Sequence, residues 1–210
     1  RQGFDAVREI DTAMTELRKV SDASPGDITA YFDDAVESAK ELGSSVNEMI
    51  GATADWQRMG YNLPDSRELG EVAVLYKNVG DGIDVDTANE SLTSTMQGFQ
   101  LQAKDATSVI DAFNEVSNNY AISSAGIGEA LKRSAAAFNA ANTDLNQAIA
   151  LITAGNEVVQ SPEKVGTMWQ TVSARIRGTK SELEELGEET DNVLSSSKLR
   201  DLVAGYTGVD

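Results

Sequence analysis

The sequence predicts an all-α fold, a multi-helix bundle of about eight or nine helices with short connections and an acidic C-terminal helix or tail. Apolar residues recur at spacings of three and four along most of the chain, which lines them up on one face of a helix. Pro, Gly and capping residues punctuate that pattern at intervals of one helix length. No segment shows the period-two alternation of strands or a β-hairpin signal.

Phe4, Val7, Ile10 or Asp11, Met14 and Leu17 make the first stripe, with charged residues opposite. Ser24-Pro25-Gly26-Asp27 interrupts it, because proline cannot continue a helix interior, and Asp27 is placed to cap the next helix. This second helix runs to about Leu42, buries Ile28, Tyr31 or Phe32, Ala35, Val36 and Ala39, and stops at Gly43. Ser45 and Glu48 have the capping-box spacing before a third helix carrying Val46, Met49, Ile50, Thr53 and Trp56.

Gly60-Tyr61-Asn62-Leu63-Pro64 is the next break, and Asp65 and Glu68 repeat the capping-box spacing ahead of Leu69, Val72, Ala73, Tyr76 and Val79. Gly80-Asp81-Gly82 ends that helix. Asp84 or Asp86 caps the next, through Ala88, Leu92, Thr95, Met96 and Phe99; Lys104-Asp105 opens another, with Ala106, Val109, Ile110, Phe113, Val116 and Tyr120 on one face.

From Ala121 to Gly178 three helix-length segments succeed one another with little between them. Their stripes are Ile127, Leu131, Ala135 and Phe138; then Leu145, Ala148, Ile149, Ile152 and Val159; then, after Ser161-Pro162, Val165, Met168, Trp169, Val172 and Ile176. Each segment gives roughly 25 Å of helix at 1.5 Å per residue. Ala135, Ala136, Ala137, Ala140 and Ala141 favour helix and leave room for close backbone approach. Beyond Gly178, SELEELGEETD carries acids and no base, predicting a solvated helix and then a mobile tail. The resulting division is 1–63 for flanking helices, 64–178 for a helical core and 179–210 for the acidic end.

With 17 Lys plus Arg against 34 Asp plus Glu, the chain carries a formal charge of -17, which repels nucleic acid and anionic lipid. The charge is unevenly spread. Lys132, Arg133, Lys164, Arg175 and Arg177 balance Glu129, Asp144, Glu157 and Glu163 in the three-helix stretch, leaving the acid excess to its flanks. The absence of Cys and His removes disulfides, thiolate chemistry and the commonest acid-base residue and metal ligand. No apolar run approaches the roughly 20 residues of a spanning helix. The start at Arg1, without Met, reads as an excerpt of a longer chain.

Four motifs invite a chemical reading and each has a plainer one. Glu90-Ser91 has the Glu-Ser pair of lytic transglycosylases, but LTSTMQGFQ after it lacks their Gly-Leu-Met-Gln context. DGIDVDTANE has the carboxylate density of a calcium loop; counted from Asp84, however, position six is Asn89 and position twelve Thr95, so helix capping fits better. Gly126-Ile127-Gly128 lacks the preceding strand and third glycine of a phosphate loop, and reads as a loosened first turn or a close helix crossing. Arg175, Arg177 and Lys180 lie where cations offset a helix dipole, with partner docking as the alternative. Trp56 and Trp169 sit on apolar stripes as core residues. The sequence thus supplies no catalytic, cofactor-binding or metal-ligating residues.

SNNYAISSAGIGEALKRSAAAFNAANTDLNQAIALITAGNEVVQSPEKVGTMWQTVSARIRG resembles the conserved helical region of tail tape measure proteins of long-tailed phages and prophages. The likeness rests on Asn142-Thr143-Asp144-Leu145-Asn146-Gln147-Ala148 opening a helix, Ile149 to Gly155 within it, and Gly166-Thr167 shortly before Arg175-Ile176-Arg177. With DVDTANESLTSTMQGF and ATSVIDAFNEVSNNY upstream, it extends over about 71–178. Many members have an Arg soon after the Gly-Thr, where this chain has Met168-Trp169-Gln170.

The resemblance implies a structural, non-enzymatic chain in the lumen of the tail tube, setting tail length and templating tube assembly. It implies tail-tube protein and tail assembly chaperones as partners, with self-association open, and host cytoplasm as the place of assembly. Nucleic acid and membrane contact are not expected. The competing readings are a peptidoglycan-cleaving tail enzyme fragment and a helical interaction domain of a bacterial surface or secreted protein.

Overall fold

A computed structural model of the chain describes residues 2–80 and 82–185, with side chains over 5–80 and 82–177. Among the described residues all regular structure is helical. The α-helices are α1 Gln2–Val20, α2 Pro25–Glu41, α3 Val46–Arg58, α4 Leu63–Val79 and α5 Val85–Phe99, followed by α6 Ala106–Asn119, α7 Ser124–Ala140, α8 Leu145–Val159 and α9 Pro162–Glu185. A 3-10 turn, Ala103–Asp105, leads into α6. The all-α, multi-helix expectation holds; of the acidic helix and tail expected over 179–210, residues 186–210 lie outside the described residues.

Packing divides the chain into two compact units. Among the described residues the first comprises 2–92 and Gln102–Ile110, the second Thr93–Leu101 and 111–185, so α5 and α6 contribute to both.

In the first unit α3 is the central helix, packed on α1, α2 and α4. Thr53 lies against Gly70 and Glu48 pairs with Lys77, so α3 and α4 run antiparallel. The pairs Asp34–Arg67 and Ser38–Glu71 advance together, so α2 and α4 run parallel. Met14, Leu17, Ile28, Tyr31, Met49 and Ile50 belong to the core of this unit. Burying each large apolar side chain contributes about 1.5–3 kcal/mol. Trp56 is fully buried, its Nε1 donating to Asn89 Oδ1 at 2.8 Å, and Tyr61 meets its ring edge-on.

In the second unit α7, α8 and α9 each pack on the other two. Gly126 faces Pro162 and Ala130 faces Gly166, four residues on along both helices, so α7 and α9 are parallel. Gly155 faces Val165, while Trp169 Nε1 donates to Leu151 O at 3.1 Å, which sets α8 antiparallel to α9. A Cβ on Gly166 would collide with the carbonyl oxygen of Ala130 and come within 2.9 Å of its Cα. On α5, Gly98 similarly abuts Ala135 and the backbone nitrogen of Ala136. Close approach is therefore made by glycine against alanine backbone; of the five alanines expected to allow it, Ala136 and Ala140 are exposed.

Local signals set most helix ends. Ser45 and Glu48 form the expected capping box, Asp84 rather than Asp86 caps α5, and Asp144 with Gln147 boxes the start of α8. Two caps differ from expectation. Ser24, not Asp27, is the N-cap of α2, its Oγ accepting the Asp27 N–H, and Asn62, not Asp65, caps α4 by accepting the Asp65 N–H at 2.8 Å. In both places proline in the first turn moves the start upstream of the acidic residue, which becomes the third helical residue. Helices α2, α3, α5 and α7 close with a bond from the N–H five residues on: Ser44 to Ala39, Tyr61 to Trp56, Leu101 to Met96 and Thr143 to Phe138. The residue before each donor has positive φ; it is Gly43 or Gly60 in two cases, Gln100 or Asn142 in the others. Gly178 ends nothing: α9 continues through it to Glu185.

Several stripe residues are exposed instead of buried: Val7, Val36, Val79, Tyr120, Val159 and Met168. Val79, Tyr120 and Val159 lie at or beside helix ends, where cover from neighbouring helices runs out.

Candidate binding groove

An open groove of about 700 Å³ lies within the first unit, at the end where α1 and α3 finish and α2 and α4 begin. Two helix N-termini and two C-termini meet there, so their partial charges roughly offset and side chains set the sign. Asp22, Asp27 and Asp34 line it against a single cation, Arg67. That guanidinium is committed: Nη1 donates to Asp34 and Nε to Glu71 at 3.0 Å, and Glu71 also accepts from Ser38. Burial works against the charge of Arg67, but the Glu71 bond and the nearby carboxylates outweigh it and hold its pKa above the usual value.

The groove also takes in Tyr31, Gln57 and Tyr61. Tyr31 donates to Thr53 Oγ1 at 2.8 Å, and burial pushes its phenol pKa upward. Gln57 is 7 % exposed, and its side-chain oxygen has no hydrogen-bond donor. A buried carbonyl without a donor costs about 1–3 kcal/mol. The Gly60–Pro64 stretch reads in the sequence as a helix break; nothing there signals that the break also forms a wall of this groove.

The sequence motifs fall elsewhere. Glu90 lies on the exposed side of α5, and the adjacent Ser91 is buried. Asp84 spends its carboxylate on the N–H of Thr87 at 2.8 Å; Asp81 is outside the described residues. Among the described residues no group of three acidic side chains converges as a metal site. Gly126 lies in the first turn of α7, its N–H bonded to Ser123 Oγ at 3.0 Å, with Pro162 of α9 against it. Gly126 thus marks a close helix approach, in a first turn that Ser123 caps rather than one that is loosened. Arg175 and Arg177 are exposed on α9, and the Lys180 side chain lies outside those described. Trp56 and Trp169 are core residues. No helix among the described residues is long and apolar enough to cross a membrane.

No solved structure matches the chain. A match to the family described as phage-related minor tail protein spans residues 36–208, from within α2 through the whole three-helix stretch where the sequence resemblance is densest. With that span covering most of its 210 residues, the chain belongs to the phage-related minor tail protein family, a structural component of the phage tail.

Proposed function

We propose that the chain is a module of a tape measure protein, lying in the lumen of the tail tube, setting tail length and templating the tube around it. The family match over residues 36–208 carries this reading. Two physical features support it. Capping is local to each helix, through pairs such as Ser24–Asp27, Ser45–Glu48, Asn62–Asp65 and Asp144–Gln147, so separated helices keep their terminal signals. The interior is also imperfectly satisfied: the hydroxyls of Thr93, Thr143 and Ser173 are buried without a partner. Each such group costs about 1–3 kcal/mol, which lowers the cost of opening the bundle into extended helix. In this reading the tail-tube protein and tail assembly chaperones are the partners, and assembly takes place in the host cytoplasm.

Protease treatment of purified virions tests the placement. The chain stays intact in DNA-filled virions, followed by immunoblot, and becomes cleavable once DNA ejection is triggered. Cleavage in intact virions at the rate of an exposed tail protein would overturn it.

A further inference from the structure

We infer that the groove at the α1–α4 end binds an arginine or lysine side chain presented by an extended segment of a partner protein. Three observations converge on a cation. Asp22, Asp27 and Asp34 outnumber Arg67, which is paired with Asp34 through Nη1 and with Glu71 through Nε and so leaves Asp22 and Asp27 uncompensated. Asp22 is exposed and has no ion-pair partner among the described residues. Gln57, more than nine-tenths buried on the wall, holds a carbonyl oxygen that is closed off from solvent and lacks a donor, and a guanidinium or ammonium in the groove supplies one once the amide turns that oxygen towards it. The ring of Tyr61 beside them adds a surface that attracts cations.

The shape favours a peptide over a small polyamine. Small-molecule sites enclose most of their ligand, whereas this groove is open along one side. Its wall also includes Val20, Ala23, Leu63 and Pro64, which match apolar residues flanking the cation. The chain's charge of -17 draws such a segment in at long range. This assignment stands whether or not the chain sets tail length.

The test titrates the full chain with a blocked Leu-Arg-Leu peptide, its Leu-Gln-Leu counterpart and spermidine, followed by calorimetry and by NMR shifts of groove amides. The Arg peptide should bind about tenfold more tightly than the Gln peptide, with shifts centred on Gln57 and Tyr61. Asp22→Asn and Gln57→Leu should each weaken it at least threefold. Asp22 is a surface residue, so its variant keeps the fold and the test stays decisive if Gln57→Leu is unstable. Equal binding of the two peptides, unchanged binding by Asp22→Asn, or spermidine binding at least as tightly as the Arg peptide would overturn the proposal.

Discussion

Glycine has opposite roles at two positions in this chain, and only the structure separates them. Gly51 is inside α3 with nothing within 4 Å of an added Cβ, whereas Gly166 on α9 lies directly against the backbone of Ala130. Gly51→Ala should therefore raise stability by up to about 1 kcal/mol through helix propensity. Gly166→Ala should lower it by about 2 kcal/mol, because the methyl meets main chain and the two helices must part. Urea denaturation of both variants gives the signs; a stabilising Gly166→Ala would mean that α7 and α9 do not pack at that point. In sequence both residues are merely glycines within helical patterns. Trp56 and Trp169 were legible, since their spacing fixed their face; the partner of Trp56, Asn89, was not, because it lies 33 residues away inside an acidic segment.

Single helices are specified mainly by neighbouring residues, and pairs of helices by residues far apart. Stripes and breaks give the order of helices because apolar spacing and capping act within about one turn of the chain. Their packing partners are less legible: α1 rests on α3, and α7 on α9 as well as on α8. Glu48 shows how local and distant roles meet in one residue. It closes the capping box of α3 with Ser45, accepts from Ser44, and takes a 2.9 Å bond from Lys77 of α4. Burial alone would raise its pKa, but the bonds from Lys77, Ser44 and Ser45 outweigh it and lower it from 4.5 to about 2.

A carboxylate whose pKa is lowered by folding stabilises the fold above its unfolded value, and that contribution fades as pH falls through the folded one. Glu48 is 37 % exposed, so solvent screening reduces its contribution well below the full shift. Glu48→Gln should cost about 1 kcal/mol at pH 7, with the gap closing as pH is lowered from 4.5 towards 2. Chemical denaturation across that range checks it; a gap independent of pH would assign the loss to packing.

At the level of the whole molecule the chain is a sequence of locally capped helices gathered into two units. The boundary between the units falls inside α5 and α6, where the apolar pattern continues unbroken, so no composition shift marks it. The groove was equally hidden, since it is assembled from four helix ends and two links. What the sequence did carry was the family, through the small-residue and polar phrases of the three-helix stretch, and through it the proposed role as a ruler. The direct test is tail length in phages carrying in-frame duplications and deletions of whole helices from this chain, measured by electron microscopy. The account predicts that length changes in proportion to residues added or removed, at about 1.5 Å per residue, the rise of extended helix. Tails of constant length across the series would contradict it.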